Sequence, residues 1–170
     1  MEKVALVTGC SSGIGLETAL ALARDGFYTF ATMRDLTKTE KIEEAIKKEN
    51  LNVEILELDV DNEESASTAI EAILGKKQRI DVLVNNAGYG MWGTVEDLSV
   101  DEFKEQFETN FFSIIRLIHK IAPIMRKQGS GDIVNISSVA GRIGFPVSCL
   151  LYTSDAADDT PCVDLGGRRI

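Results

Sequence analysis

Cysteine and histidine are scarce in this sequence, which holds three cysteines and one histidine among 170 residues. These common zinc ligands are scattered along the chain without the CxxC-type spacing of structural zinc sites, at Cys10, His119, Cys149 and Cys162. We therefore predict no metal site, and so few cysteines do not support a disulfide framework.

Long apolar runs are absent as well. The longest apolar stretches, at 80–84 and 111–115, are far shorter than the roughly 20 residues that a membrane-spanning helix requires. The first residues also lack the basic segment, apolar core and cleavage site of a signal peptide. The sequence therefore predicts a cytoplasmic protein that does not associate with membranes.

Basic residues are in the minority, with 18 Lys and Arg against 27 Asp and Glu, and the formal net charge is −9. A surface this acidic repels nucleic acid and anionic lipid, although it leaves room for a local basic pocket. The length of 170 residues and the 44% of hydrophobic residues favour one globular domain. We predict no nucleic acid partner.

Short apolar runs alternate with longer amphipathic ones along the chain. This alternation is typical of an α/β fold, a doubly wound parallel sheet with helices on both faces. We predict strands at 3–8, 27–32, 53–58, 80–84 and 132–137, and helices at 13–24, 38–49, 62–74 and 100–127. Gly26 and Gly75 are expected to end the first and third helices, and Ser99 with Glu102 predicts a capping box before the fourth.

A glycine-rich turn, TGCSSGIG at 8–15, lies between the first strand and the first helix. Glycines at such a turn let the backbone approach a pyrophosphate, which the exposed N–H groups and the helix dipole attract. The alternative is a tight turn without a ligand. The residues that we expect to bind a dinucleotide here are Gly9, Ser11, Ser12, Gly13, Ile14 and Gly15.

The ends of the second and third strands carry the next candidate residues. Arg34 follows the second strand, where an arginine suits the 2′-phosphate of NADP and an acidic residue suits the free ribose of NAD. Arg34 favours NADP, although the neighbouring Asp35 could take the ribose of NAD instead. Asp59 and Val60 follow the third strand, where they could meet the adenine; the alternative role of Asp59 is a helix cap.

Two further motifs follow the fourth and fifth strands, NNAG at 85–88 and NISSVAG at 135–141. Together with the glycine-rich turn and Asn110, these motifs resemble the short-chain dehydrogenase/reductase family over residues 3–148. Each motif alone could be structural: Asn86 could tie strands together, Ser137 could bond backbone, and Asn110 could bend a helix. The resemblance implies a Rossmann-like sheet of strand order 3-2-1-4-5, whose later strands are missing here.

The resemblance also implies an activity, hydride transfer between NAD(P) and a small-molecule alcohol or carbonyl. Ser138 matches the family serine that bonds the substrate oxygen, and Asn110 matches the asparagine that holds a water in the proton relay. Asn86, Ala87 and Gly88 are expected on the cofactor side of the site. The full-length protein is expected to form a homo-oligomer, because the family uses its long helix as a dimer interface.

The resemblance stops before the family's Tyr-x-x-x-Lys pair. The tyrosine is expected near position 151, but position 151 is leucine, Tyr152 is one residue late, and 153–170 contains no lysine. A tyrosine without this lysine should keep its free pKa of about 10 and act as a poor base at neutral pH. A non-catalytic dinucleotide-binding sensor is therefore the alternative function.

Back-translation of the last residues gives a different explanation of why the resemblance stops. The ten residues from Cys149 can be written TGTCTCTTATACACATCTGACGCTGCCGAC, which is a transposase-type sequencing adapter, and 163–170 can be written as its downstream end. We therefore predict that 1–148 is an incomplete NAD(P)-binding domain and that 149–170 is a non-native tail of translated adapter. As such a fragment, the 170-residue chain is expected to be inactive alone. The alternative is a divergent natural tail.

Overall fold

A computed structural model of the chain describes residues 2–94 and 96–139. These residues fall into two units, the first formed by 2–88 and 108–136 and the second by the rest. The predicted boundary after residue 148, the proposed adapter tail and Tyr152 lie outside the described residues.

The first unit is built on a five-stranded parallel sheet of order β3-β2-β1-β4-β5. Its strands are β1 Val4–Val7, β2 Tyr28–Met33, β3 Val53–Glu57, β4 Val82–Asn85 and β5 Asp132–Asn135. Each strand lies within the predicted segment or within one residue of it. The predicted fold and strand order are therefore confirmed.

The helices are α1 Gly13–Arg24, α2 Glu40–Glu49, α3 Glu63–Lys77, α4 Val100–Phe107 and α5 Ser113–Gln128. A 3-10 turn, Leu36–Lys38, precedes α2, and a π-helical segment, Glu108–Phe112, lies between α4 and α5. No helix within the described residues is long and apolar enough to cross a membrane.

The side chains of the central strands alternate between two apolar cores, one on each face of the sheet. Leu6, Phe30 and Leu83 pack on one face, and this core includes residues of α3 and α5. Val7 and Val84 face the other way, into a core that includes residues of α1 and α2. Because successive strand residues point to opposite faces, a sheet buried on both sides needs such unbroken apolar runs.

The C-terminal end of one helix agrees with the sequence prediction, and that of another differs from it. Helix α1 ends at Arg24, and Gly26 follows with a positive φ of 88°. The prediction that Gly75 ends the third helix is wrong, because α3 continues to Lys77 and Gln78 takes the left-handed cap conformation with φ 59°. The helix therefore ends three residues later than predicted, because Gln78 rather than a glycine adopts the left-handed conformation.

The second unit contains α4 and the loop before it. The predicted capping box is present: Glu102 N donates to Ser99 Oγ at 3.2 Å, and Ser99 N donates to Glu102 Oε2 at 2.8 Å. The buried Gln106 accepts a hydrogen bond from the backbone N–H of Met91 at 2.7 Å. Trp92 is 69% exposed, so it is not a core residue.

Candidate dinucleotide site

The loop after β1 is shaped by glycines at points of close approach. Gly9 has φ 71°, and a Cβ atom there would lie 2.9 Å from Cα of Ala87. A Cβ atom at Gly15 would overlap the carbonyl oxygen of Gly9 and Nδ2 of Asn86. The first turn of α1 therefore packs directly on the loop, as the glycine pattern predicts.

The N-terminus of α1 is open in a way that suits an anion. The N-cap residue Ser12 makes no capping hydrogen bond with its side chain to any described residue, and the first turn carries no acidic residue. By contrast, α2 begins with Glu40 and Glu43, and α3 is capped by Asn62. Unsatisfied N–H groups and the positive end of the helix dipole favour a negatively charged group at α1.

The loops after β1 and β4 are locked together by Thr8 and Asn86. Thr8 Oγ1 accepts hydrogen bonds from the backbone N–H groups of Asn86 and Ala87, each at 3.0 Å. Asn86 Nδ2 donates to the carbonyl oxygens of Thr8 at 2.9 Å and Gly9 at 3.2 Å. Asn86 thus links the two loops, which is the structural role that the sequence left open. Thr8 is a supporting residue that sequence reasoning missed.

A second pair of amides links the neighbouring strands β4 and β5. Nδ2 of the buried Asn85 donates to Oδ1 of Asn135 at 2.8 Å, and the two residues are also in register in the sheet. Both residues begin motifs that the sequence singled out, but neither was expected to support the site. Their pairing fixes the end of β5 beside the loop that carries Ala87 and Gly88.

Cys10 lies inside the glycine-rich turn and is completely buried. Its N–H donates to the carbonyl oxygen of Thr32 at 2.8 Å, and its Sγ donates to the carbonyl oxygen of Val7 at 3.2 Å. Burial raises the pKa of the Cys10 thiol to about 12. At neutral pH the thiol is therefore protonated, so Cys10 is a small core side chain rather than a reactive one.

Arg34 and Asp35 follow β2 and differ in what holds them. Arg34 is exposed and makes no hydrogen bond or ion pair with any residue that the structure describes. Asp35 accepts from the hydroxyl and the N–H of Thr37 at 2.6 and 3.0 Å, and Lys38 lies 3.4 Å from it. The hydrogen bonds from Thr37 lower the pKa of Asp35 and hold its carboxylate within the turn at 35–37.

Asp59 and Val60 follow β3 as predicted, but Asp59 is not the helix cap. Asn62 caps α3, because its Oδ1 accepts from the N–H groups of Glu64 and Ser65 at 2.9 and 3.0 Å. Asp59 Oδ1 instead accepts from the N–H of Asp61 at 3.1 Å in the preceding turn. The carboxylate of Asp59 is half-buried and Val60 is buried.

Asn110 lies in the π-helical segment, Glu108–Phe112, within the first unit. A Cβ atom at Gly88 would lie 3.0 Å from Oδ1 of Asn110, so the segment reaches the loop after β4. The single long helix predicted over 100–127 is therefore interrupted where Asn110 stands. Ser138 belongs to the second unit and is exposed.

The remaining predicted residues of the glycine-rich turn differ in exposure. Ile14 is 63% exposed, Ser12 and Gly13 are exposed, and Ser11 is half-buried. Among the described residues no group of three or more His, Cys, Asp or Glu is placed to hold a metal ion.

Comparison with known proteins places this arrangement in a family. Residues 3–157 match the model for short chain dehydrogenase. An uncharacterized oxidoreductase, YusZ, from Bacillus subtilis is 41% identical over 147 residues, which are 85% of this chain and 52% of that protein. Human retinol dehydrogenase 8 is 42% identical over 84% of this chain and 46% of its own length.

A solved structure agrees with these relatives. A metagenomic short-chain oxidoreductase in complex with NADP superposes with a TM-score of 0.81 at 32% identity, covering 90% of this chain and 69% of that one. The chain spans about half the length of these two curated relatives. The family match, the sheet order and the glycine-rich turn agree, and the chain belongs to the short-chain dehydrogenase family.

Proposed function

We propose that the protein is an NADP-dependent oxidoreductase that transfers a hydride between NADP(H) and an alcohol or carbonyl substrate. Family membership supports the reaction class, and the NADP complex of the metagenomic relative supports the cofactor. The single observation that carries the choice of NADP is the contrast between Arg34, which has no described partner, and Asp35, which is held by Thr37 and Lys38.

The residues around the glycine-rich turn fit a dinucleotide. The uncapped first turn of α1 offers N–H groups to the pyrophosphate, and Gly9 and Gly15 let the loops after β1 and β4 pack closely against that turn. We propose that Arg34 binds the 2′-phosphate through charge-assisted hydrogen bonds. The other proposed cofactor residues are Ser11, Ser12, Gly13, Ile14, Asp59, Val60, Asn86, Ala87 and Gly88.

The chemistry divides between cofactor and protein. The nicotinamide, when bound, supplies or accepts the hydride, and the protein must position the substrate oxygen and move its proton. We propose that the exposed hydroxyl of Ser138 donates to the substrate oxygen and that Asn110 orients a water in the path of the proton. Ser138 and Asn110 thus position the substrate oxygen and a water, and the acid/base itself is a further residue.

The acid/base residue is the part that 1–148 lacks. We propose that 149–170 is translated sequencing adapter and that the natural protein continues after Ser148 into a Tyr-x-x-x-Lys helix. Resequencing the gene from independent DNA tests this proposal directly. A Tyr-x-x-x-Lys segment supports the enzyme, whereas the same tail in genomic DNA contradicts the adapter and favours the sensor, because 153–170 contains no lysine.

The full-length protein is proposed to form a homo-oligomer. Phe111 and Ile115 are 53% and 39% exposed, and His119 follows on the same helical face at the same spacing of four. An apolar stripe of this kind fits a second copy of the chain. Sedimentation of the full-length protein tests this, and a monomer at micromolar concentration contradicts it.

The cytoplasmic location stays a prediction of the sequence, to be checked by cell fractionation.

Activity of the full-length protein tests the proposed function as a whole. We expect oxidation of NADPH, followed at 340 nm, with at least one member of a panel of aldehydes and ketones. Asn110→Leu should abolish turnover while leaving NADPH binding intact, and Lys127→Gln, an exposed change in the last turn of α5, serves as the control. Full activity of Asn110→Leu contradicts the proposed proton path.

A further inference from the structure

The π-helical segment Glu108–Phe112 has an unusual set of supports. An i→i+5 segment inside a helix is rare and needs support from its surroundings to persist. Within the helix, Ser113 Oγ donates to the carbonyl oxygen of Thr109 at 2.6 Å, and both residues are buried. The side chains of Thr109 and Arg116 also form hydrogen bonds with the turn that follows β3.

Thr109 makes the first of these contacts. Its Oγ1 donates to Oδ2 of Asp61 at 2.6 Å, and Thr109 is only 9% exposed. A short hydrogen bond to a carboxylate is stronger than one between neutral groups. Because Thr109 immediately precedes Asn110, this bond fixes the backbone from which the Asn110 side chain extends.

Arg116, in the first turn of α5, makes the second contact. Its Nη2 donates to the carbonyl oxygen of Val60 at 3.0 Å, and its Nη1 forms an ion pair with Glu108. The guanidinium therefore joins the first residue of the π-helical segment to the backbone of Val60. The planar fork of arginine suits such a bridge, because its donors point in fixed directions.

The turn that receives both contacts is the proposed adenine side of the cofactor site. Asp61 N donates to Oδ1 of Asp59 at 3.1 Å, so a hydrogen bond links the carboxylate of Asp59 to the backbone of Asp61. A continuous path of hydrogen bonds thus runs from Asp59 through Asp61 to Thr109, the neighbour of Asn110. All of these residues belong to the first unit.

We propose that Thr109, Arg116 and Asp61 are positioning residues that couple cofactor binding at Asp59 and Val60 to the placement of Asn110. This inference rests on the proposed function, because it takes Asp59 and Val60 as cofactor contacts. Binding of the adenine half of the cofactor then changes the environment of the Asn110 side chain before any substrate arrives. A purely structural role for these contacts would stabilise the fold without transmitting such a change.

The test uses the side-chain amide signal of Asn110 in the ¹⁵N-labelled 170-residue chain. The signal is identified by its loss in Asn110→Ala. The probe is 2′,5′-ADP, the adenosine half of NADP, which lacks the nicotinamide and the ribose attached to it. We expect titration with 2′,5′-ADP to shift this signal in the wild type, and binding is measured separately by calorimetry.

The variants separate coupling from stability. Thr109→Val, Arg116→Met and Asp61→Ala should each lose the shift while binding 2′,5′-ADP within about threefold of the wild type. Thr109→Ser keeps the hydroxyl and should therefore show the same shift of the Asn110 signal as the wild type. Lys120→Met is the matched control, because Lys120 joins α5 to Glu63 and Ser67 of α3 and not to the turn after β3. Since Asp61 is exposed, Asp61→Ala should fold even where Thr109→Val does not.

The outcomes are distinct. A shift that persists in Asp61→Ala and Arg116→Met, or a wild type that binds 2′,5′-ADP without moving the Asn110 signal, overturns the coupling and leaves the proposed function standing. A wild type that binds no 2′,5′-ADP overturns the NADP assignment, and the coupling fails with it.

Discussion

Nδ2 of Asn86 donates a hydrogen bond to the carbonyl oxygen of Thr8 at 2.9 Å, while Oγ1 of Thr8 accepts one from the backbone N–H of Asn86 at 3.0 Å. The two residues are 78 positions apart in sequence and lie at the ends of adjacent strands. This reciprocal pair holds the glycine-rich turn against the loop after β4. The geometry of the cofactor site therefore depends on a contact that local sequence does not reveal.

We expect Thr8→Val to destabilise the chain by about 1–3 kcal/mol, because two N–H groups, those of Asn86 and Ala87, lose their acceptor. Urea unfolding followed by circular dichroism measures the change. Thr68→Val is the matched control, since Thr68 is exposed on α3 and the same substitution there removes no contact with the loop. Equal effects of the two substitutions would show that the hydroxyl of Thr8 contributes nothing specific.

Glycine-to-alanine substitutions at two helical positions should have opposite effects. A Cβ atom at Gly15 overlaps the carbonyl oxygen of Gly9, so Gly15→Ala should lower stability and weaken NADPH binding. A Cβ atom at Gly75 meets nothing within 4 Å, and alanine favours a helix interior by about 1 kcal/mol over glycine. Gly75→Ala should therefore raise the unfolding midpoint. A gain in stability at Gly15 contradicts the close packing of α1 on the turn.

Cys10 should resist alkylation in the native chain. Burial raises the pKa of its thiol to about 12, so the reactive thiolate is scarce at pH 8. Iodoacetamide at pH 8, followed by peptide mass spectrometry, should modify Cys10 only after denaturation. Because the pKa of the thiol in the folded chain lies above its ordinary value of 9.0, this thiol contributes stability that is present below pH 9 and is lost as pH rises toward 12. Rapid native alkylation contradicts the burial.

The fold was predictable because its signals are periodic and local. The apolar runs at 3–8 and 80–84 predict buried strands, and the three- and four-residue steps from Leu16 to Ala23 predict α1, which the structure confirms. Parallel connections then restrict the strand order to few alternatives.

Three details escaped the sequence, namely the two ends of α3 and the interruption at Asn110. Gln78, rather than Gly75, ends α3, and Asn62, rather than Asp59, provides its cap. The π-helical segment at Asn110 is supported by Asp61 and Val60, which are far away in sequence. No local pattern in 100–127 signals such an interruption, because its cause lies on another element.

The candidate site was predicted from motifs, and the structure adds the reasons. Gly9 and Gly15 were expected at the turn, and the overlap that a side chain would create there explains why both are glycine. The NADP preference was predicted from Arg34 alone. The engagement of Asp35 by Thr37 and Lys38 was not readable from sequence, since an acidic residue beside an arginine can face either way.

The NADP preference is the central claim, and Arg34→Ala tests it most directly. Calorimetry should compare 2′,5′-ADP with 5′-AMP, which lacks the 2′-phosphate, for the wild type, Arg34→Ala and the control Lys38→Ala, which removes the same charge from the ion pair with Asp35. We expect the wild type to bind 2′,5′-ADP more tightly, and Arg34→Ala to weaken that binding about 10- to 100-fold without affecting 5′-AMP. Equal affinities of the wild type for the two ligands, or an unchanged affinity of Arg34→Ala for 2′,5′-ADP, would contradict the account.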